Sequence, residues 1–148
     1  MNIGIFYATY SGGTQAACEF LSQTLQGMSH QVTMKMISEV TFEDAINYDL
    51  IIFSSPTWDY EGKEGQAHQD FMTFMQNSAG KKSPGKNFAV LGLGDSSYVH
   101  FCTAVDMIEA FVKEAGGSTK ESLKIDGYLF DTEKNNGHIT EWAKKITS

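Results

Sequence analysis

The sequence predicts an α/β fold in which a five-stranded parallel sheet is covered by helices on both faces. The first observation is that strand patterns alternate with helix patterns along the chain. The second is that the first and third predicted strands are apolar runs of the kind found in strands buried on both faces. A chain of 148 residues without a linker or an internal repeat is expected to form a single domain, residues 1–148.

The first third of the chain contains three predicted strands. Asn2–Tyr7 is an apolar run, and Thr14–Gly27 follows it with apolar residues at helical spacing. Gln31–Ile37 alternates between polar and apolar residues, which is typical of a strand. Thr41–Ile46 is predicted to be a short helix or turn, and Asp49–Ser54 a third, buried strand.

The middle of the chain begins with a predicted long loop, Ser55–Lys63. A helix is predicted near Glu64–Ser78, where alanine, phenylalanine and methionine fall on one face. Gly80–Gly85 has the composition of a turn, and Asn87–Gly92 is the fourth predicted strand.

The last third supplies two helices and the fifth strand. Thr103–Ala115 has an inward apolar face and is followed by two glycines that end a helix. Leu123–Phe130 is the fifth predicted strand, and His138–Ile146 carries an apolar stripe and closes the fold. In such sheets ligands bind beyond the carboxyl ends of the strands, so the loops after strands one, three and four are the candidate site.

Composition limits the classes of function. The net charge is −7 and all 11 basic residues are lysine, so we expect no nucleic-acid binding. No apolar run reaches about 18 residues, and the chain starts in a strand pattern without a signal segment, so we expect no membrane span and a cytoplasmic location. The four histidines and two cysteines show no metal-ligand spacing, so we expect no metal site.

The loop after the first strand has the residues of an anion site without a cation. Residues 9–14 read TYSGGT, which matches neither the dinucleotide fingerprint nor the P-loop, and no Lys or Arg precedes Lys35. Hydroxyl groups, flexible glycines and the N–H groups of the following helix could together surround a phosphate. The alternative is an ordinary serine or threonine cap on a tight turn.

The other two loops place aromatic residues at the same sheet edge. Residues 55–60 read SPTWDY after strand three, and residues 93–102 read LGDSSYVHFC after strand four. Two aromatic rings on separate loops could enclose a flat ring between them. The alternative is that each ring only covers the edge of the sheet.

Three segments in this order, TYSGGT, PTWDY and GLGDSSYVHFC, resemble the short-chain flavodoxins over essentially the whole chain. The resemblance implies a three-layer sandwich with a parallel sheet of order 2-1-3-4-5 and non-covalently bound FMN. It also implies the residues around the FMN phosphate, which are Thr9, Tyr10, Ser11, Gly12, Gly13 and Thr14.

For the rest of the cofactor, the resemblance implies that Trp58 and Tyr98 cover the two faces of the flavin ring. The remaining implied cofactor-binding residues are Pro56 and Thr57 near the ribityl chain, Asp59 and Tyr60 in the same loop, Leu93, Gly94 and Asp95 at the pyrimidine edge, and Phe101 and Cys102 lining that side.

The function implied by the resemblance is that of a low-potential one-electron carrier with no catalytic residues of its own. Such a carrier works between the neutral semiquinone and the anionic hydroquinone of FMN, and a peptide flip after the loop aromatic accompanies reduction. Many members have glycine where this chain has Asp59, so we expect the flip to occur at a somewhat higher energetic cost.

Acidic residues near the implied flavin suggest the class of partner. Asp59, Glu61, Glu64, Asp70 and Asp95 could surround it, with Lys63 opposing them. One carboxylate about 8 Å from the reduced flavin would disfavour it by roughly 2 kcal/mol at an effective dielectric near 20. The same acidic rim could dock a monomeric protein onto basic-faced redox proteins, a reductase and acceptor enzymes. The alternative is a solvated acidic face without a partner.

Two other functions stay open at this point. One is an FMN-dependent reductase or quinone oxidoreductase on the same fold, which would need a nicotinamide or quinone pocket beside the flavin. The other is a dedicated flavoprotein that activates one enzyme, although the SPTWDY loop fits the carrier pattern better.

Overall fold

The computed structural model describes residues 1–60, 63–95 and 101–148, with the backbone alone at residues 58–60, 63 and 64. The strands are β1 (Asn2–Tyr7), β2 (Gln31–Met36), β3 (Leu50–Tyr60), β4 (Lys63–Ala67), β5 (Asn87–Gly94) and β6 (Ser118–Asp126). The helices are α1 (Gly13–Gly27), α2 (Phe42–Ala45), α3 (Gln69–Asn77), α4 (Thr103–Glu114) and α5 (Thr132–Ile146), with short 3-10 helices at Ile37–Glu39 and Tyr128–Phe130.

The main sheet has the order β2-β1-β3-β5-β6, and all of its neighbouring pairs are parallel. This is the predicted order 2-1-3-4-5 when only the five parallel strands are numbered, so the predicted fold class is confirmed. The strand order reverses between β1 and β3, and such a reversal opens a crevice at the carboxyl edge.

Two apolar layers lie on opposite faces of this sheet. On β3, Leu50 and Ile52 pack with α1 and α5, whereas Ile51 and Phe53 pack with α2, α3 and α4. The alternation follows from the two-residue period of a strand. Phe53 is the centre of the second layer, because the rings of Phe6, Phe71, Phe74 and Phe88 lie 5.6–6.3 Å from its ring.

The prediction of a long loop over Ser55–Lys63 is wrong. The third strand continues to Tyr60 and then pairs antiparallel with β4, with Thr57 opposite Ala67. A proline and several turn-forming residues hide the strand in the sequence, and its partner β4 lies within the predicted helix Glu64–Ser78. That helix begins instead at Gln69, because the residues before His68 are in β4.

The fifth parallel strand and the last helix also differ from prediction. The strand spans Ser118–Asp126, not Leu123–Phe130. The prediction missed its first half because that half is polar. It is a strand because it pairs with β5 at the edge of the sheet. Gly127 then turns the chain with a φ of 57° into the 3-10 helix. The last helix starts at Thr132, six residues before the predicted His138, because the carboxylate of Asp131 accepts a hydrogen bond from the Lys134 N–H.

Within the described ranges, the helices are too short or too polar to span a bilayer.

Candidate functional site

The carboxyl ends of β1, β3 and β5 meet at one edge of the sheet. β1 and β5 pair with the two sides of β3, so the segments that follow these strands are neighbours in space. The Ala8 N–H donates to the Ser54 carbonyl at 3.1 Å, which holds the start of the first loop against β3. The candidate site is therefore built from three segments that are distant in the chain.

The first loop presents the N-terminus of α1. Gly12 is the N-cap residue and has a φ of 88°, a left-handed conformation that suits glycine. The hydroxyl of Thr9 accepts a hydrogen bond of 2.8 Å from the Gly12 N–H and so closes the turn. Glycine has no side chain to cap α1, and the first turn of α1 contains no acidic residue. The helix N-terminus therefore offers N–H groups and partial positive charge to an anion.

Three other residues of this loop have different surroundings. Ser11 is exposed beside Gly12, whereas Thr14 is buried. The Tyr10 side chain extends to α3, where its hydroxyl oxygen accepts a hydrogen bond of 3.2 Å from the Gln69 N–H. Its ring stacks on the ring of His68, with centroids 3.9 Å apart and an interplanar angle of 22°. Tyr10 thus joins the first loop to α3.

His68 is a residue of this site that the sequence analysis missed. It is the N-cap of α3, and its Nδ1 accepts a hydrogen bond of 2.9 Å from the Asp70 N–H. The backbone of Thr9 lies beside its ring. Burial lowers the pKa of His68, while the Asp70 carboxylate and the Thr9 carbonyl act in the opposite direction. The position just before the apolar stripe of α3 was the available signal.

The second segment is the β3–β4 hairpin. Trp58 pairs with Gln66 and Tyr60 with Lys63, with an irregularity in the register between Trp58 and Tyr60. The side chains of Trp58, Asp59 and Tyr60 lie outside the description, so their predicted roles at the flavin stay predictions.

Thr57 and Thr103 attach this hairpin to α4. The hydroxyl of Thr57 accepts a hydrogen bond of 3.0 Å from the Ala104 N–H, and the hydroxyl of Thr103 donates one of 2.7 Å to the Gly65 carbonyl. Pro56, one residue earlier, is half-buried. The hairpin and the start of α4 therefore border the same crevice.

The third segment follows β5. A Cβ on Gly94 would lie 3.0 Å from the Cys102 Sγ and 3.4 Å from the ring of Phe101, so glycine is what lets these two residues pack against the strand end. Leu93 is buried and Asp95 is half-buried. Tyr98 lies outside the described residues.

Cys102 is fully buried and turns its thiol inward. Its φ is 52°, and its Sγ lies 3.8 Å from the Ile125 carbonyl. Burial raises the pKa of this thiol to about 12. Cys102 therefore contributes packing beneath the crevice and stays a neutral thiol at ordinary pH.

The site as described has the chemistry of a binding site. Its parts are a helix N-terminus with hydroxyls around it, an apolar floor and backbone groups at a strand end. Among residues 1–60, 63–95 and 101–148, no group of three or more His, Cys, Asp or Glu side chains is placed to hold a metal ion.

Comparison with known proteins identifies the family. The flavodoxin family model matches residues 5–136. A flavodoxin of Maridesulfovibrio salexigens is 33% identical over 144 residues, which cover 96% of this chain and 94% of that protein. The crystal structure of oxidised flavodoxin 2 from Bacillus cereus has a TM-score of 0.89 and 28% identity, over 99% of this chain and 98% of that one.

A Fusobacterium nucleatum flavodoxin solved with flavin mononucleotide bound is 20% identical, with a TM-score of 0.81 over 99% of this chain and 96% of that one. At that identity the likeness concerns the fold. Together, the family match and the identity to the Maridesulfovibrio protein show that this chain belongs to the flavodoxin family, whose members are electron-transfer proteins rather than enzymes.

Proposed function

We propose that this chain binds FMN non-covalently at the carboxyl edge of its sheet and carries single electrons at low potential between a reductase and acceptor enzymes. The whole chain, residues 1–148, would act as one domain. The observation that carries the proposal is the first loop, where the N-terminus of α1 forms an anion cradle in a stretch without lysine or arginine. Membership of the flavodoxin family supports the same conclusion.

The phosphate of FMN fits the first loop. Backbone N–H groups at the start of α1 would receive its oxygens, and the exposed Ser11 hydroxyl could donate to it. The Thr9 hydroxyl, whose oxygen already accepts from Gly12, can still donate its own proton. Hydroxyl and N–H donors without a cation suit a phosphate that approaches from solvent along the helix axis.

The flavin ring would lie between the second and third segments. Leu93 supplies apolar surface, and backbone groups of Gly94 and Asp95 would meet the polar edge of the ring. Trp58 and Tyr98 are the proposed stacking residues, and Tyr60 belongs to the same hairpin as Trp58. Pro56, Thr57, Asp59, Phe101 and Cys102 complete the proposed set around the ribityl chain and the ring.

When bound, FMN would supply one-electron chemistry through the neutral semiquinone and anionic hydroquinone couple. The chain's own contribution is to exclude water from one side of the ring, to offer backbone groups at its edge and to surround it with negative charge. Asp70 in the first turn of α3 and Asp95 after β5 lie at this edge of the sheet. Carboxylates near the ring would disfavour a further negative charge and so lower the potential.

The same acidic surface is the proposed docking face for basic redox proteins. The net charge of −7 supports long-range attraction to such partners. We propose that the protein works as a monomer that meets each partner transiently.

Stepwise anaerobic reduction of the FMN-loaded protein, followed by visible absorbance, tests the proposal. A one-electron carrier should accumulate the blue neutral semiquinone before full reduction. Direct passage to the two-electron-reduced flavin would favour the alternative, an FMN-dependent reductase or quinone oxidoreductase. Failure to bind FMN in a fluorescence titration would contradict the proposal altogether.

A further inference from the structure

His68 lies where the first loop, the β3–β4 hairpin and α3 meet. We propose that His68 is a positioning residue that holds the first loop in the conformation that receives the flavin phosphate. This role rests on the proposed binding of FMN. It would act through Thr9 and Tyr10, without contact between the imidazole and the cofactor.

His68 is anchored to the β3–β4 hairpin. Its backbone N–H donates to the Ser55 hydroxyl at 2.9 Å, and the imidazole is 90% buried. Ser55 is buried in the part of β3 that still pairs with β5, opposite Gly92. The residue before His68, Ala67, pairs with Thr57 in the hairpin. His68 is therefore held from the hairpin side, independently of the first loop.

His68 and Tyr10 share the cap of α3. The Asp70 N–H donates to Nδ1 of His68 at 2.9 Å, and the Gln69 N–H donates to the Tyr10 hydroxyl at 3.2 Å. Two of the helix N–H groups that have no partner within the helix are satisfied in this way. Each of the two stacked rings, Tyr10 and His68, therefore accepts one hydrogen bond from the first turn of α3.

The hydrogen bond at Nδ1 fixes where the neutral His68 ring carries its proton. Because Nδ1 accepts a hydrogen bond, the neutral ring carries its proton on Nε2. We assign this Nε2–H as the group that faces the Thr9 backbone beside the ring. Burial, which lowers the pKa of His68, favours this neutral form. Among the described residues, the Asp70 carboxylate is the charged group that acts on the ring, with its Oδ2 3.8 Å from Nδ1, and the Tyr10 phenol covers one face.

Thr9 and Tyr10 connect His68 to the phosphate loop. The Thr9 hydroxyl accepts from the Gly12 N–H, and in the proposed arrangement the Thr9 carbonyl accepts from the His68 Nε2–H. Gly12 in turn sets the left-handed turn from which α1 starts. A shift of Thr9 would therefore change the direction of the N–H groups that face the phosphate. Because His68 is bonded to Ser55 on the hairpin side and stacks on Tyr10 of the first loop, it couples the two halves of the site.

Protonation of His68 should loosen this arrangement. An imidazolium carries protons on both nitrogens, so Nδ1 can no longer accept from the Asp70 N–H. The cap of α3 would be lost, and the ring would turn toward the Asp70 carboxylate. We therefore expect FMN binding to weaken in acid by more than the titration of the FMN phosphate alone explains.

Two substitutions separate the two nitrogens of the ring. His68→Asn keeps a cap acceptor near the Nδ1 position, and asparagine is a favoured N-cap residue, but it loses the bond to Thr9 and the stacking. His68→Gln can place an amide N–H near the Nε2 position and restore the bond to Thr9. His138→Asn, at an exposed position on α5, is the matched control.

The experiment is a set of fluorescence titrations of each flavin-free protein with FMN and with riboflavin, which lacks the phosphate. At about pH 8, His68→Asn should bind FMN about 5- to 10-fold more weakly than the unchanged protein, as expected for one lost buried hydrogen bond. His68→Gln should recover most of that loss, and riboflavin affinity should be the same in all four proteins. At about pH 5.5, the unchanged protein should lose more FMN affinity than His68→Asn does.

Several results would overturn the inference. These are equal FMN affinity in His68→Asn and the unchanged protein, an equal loss for riboflavin, a Gln variant as weak as the Asn variant, or FMN binding that tightens in acid. If His68→Asn does not fold, as judged by circular dichroism, the FMN affinity of His68→Gln and the pH profile of FMN binding by the unchanged protein test the inference instead. If the unchanged protein does not bind FMN, the proposed function fails instead.

Discussion

Thr57 and Ala104 are 47 positions apart, yet the Thr57 hydroxyl accepts a hydrogen bond of 3.0 Å from the Ala104 N–H. The N-cap residue of α4, Cys102, is left-handed, and its thiol faces the Ile125 carbonyl. The cap of α4 therefore comes from the hairpin, a separate segment of the chain. A second hydrogen bond is donated from α4 to the hairpin, by the Thr103 hydroxyl to the Gly65 carbonyl. These two hydrogen bonds therefore join the hairpin to the start of α4.

Substitution of Thr57 tests this attachment. Thr57→Val keeps the shape of the side chain but removes the acceptor, so we expect the free energy of unfolding to fall by about 1 kcal/mol. Thr57→Ser keeps the hydroxyl and should lose less. Urea denaturation of the flavin-free proteins measures both. Equal stability of Thr57→Val and the unchanged protein would show that the bond contributes nothing.

Gly92 allows α4 to approach β5. A Cβ at Gly92 would overlap the Cγ2 of Val105, so Gly92→Ala should destabilise the fold by about 1–3 kcal/mol. Val105→Ala in the same chain should relieve the overlap, so the double variant should be more stable than the sum of the single effects predicts. Denaturation of the three variants completes the cycle. Simple additivity of the two single effects would argue against this close approach.

Gly12 and Gly13 are adjacent glycines with different requirements. Gly12 has a φ of 88°, so Gly12→Ala should cost about 1–2 kcal/mol of stability. Gly13 starts α1, and a Cβ there would lie 3.7 Å from Leu129, an ordinary contact. Gly13→Ala should therefore be neutral or slightly stabilising. Thermal unfolding compares the two, and a greater loss for Gly13→Ala would contradict the assignment of the left-handed position.

Both cysteines should be unreactive in the folded protein. Burial raises the pKa values of Cys18 and Cys102 to about 12 each. At about pH 8 only about one thiol in ten thousand would then be ionised, and the thiolate is the reactive form. A colorimetric thiol reagent should label neither cysteine until denaturant is added, when both should react. Rapid labelling of the native protein would contradict the burial of these side chains.

Stability should depend on pH through His68. Its pKa is lowered in the folded protein, so the unfolded chain takes up the proton at a higher pH than the folded chain does. The contribution of neutral His68 to the free energy of unfolding is fully present above about pH 6.5, the ordinary pKa of histidine. It is lost as the pH falls through the pKa of His68 in the folded protein. Urea denaturation at several values between about pH 8 and pH 5 gives the free energy of unfolding as a function of pH. This free energy should fall less steeply with falling pH in His68→Asn than in the unchanged protein.

The sequence by itself determined the alternation of strands and helices, the class of fold and the segments that carry the site. Apolar residues at a period of two or of 3.6 record which face of a local element is buried, and that pattern is present without knowledge of any partner. The apolar residues of β1 and β3 and the stripe of α5 are examples. The order of the strands followed from the family resemblance, carried by three short motifs.

The tertiary structure alone decided the features that depend on distant partners. β4 exists because β3 extends to pair with it, and the polar start of β6 is a strand because β5 lies beside it. Tyr10 is predicted to lie at the phosphate, and its hydroxyl also caps a helix 59 positions away. Hydrogen bonds over such separations leave no periodic trace in the sequence. They form only when packing of the apolar faces brings the segments together, which is why the roles of Thr57 and His68 emerged from the folded chain.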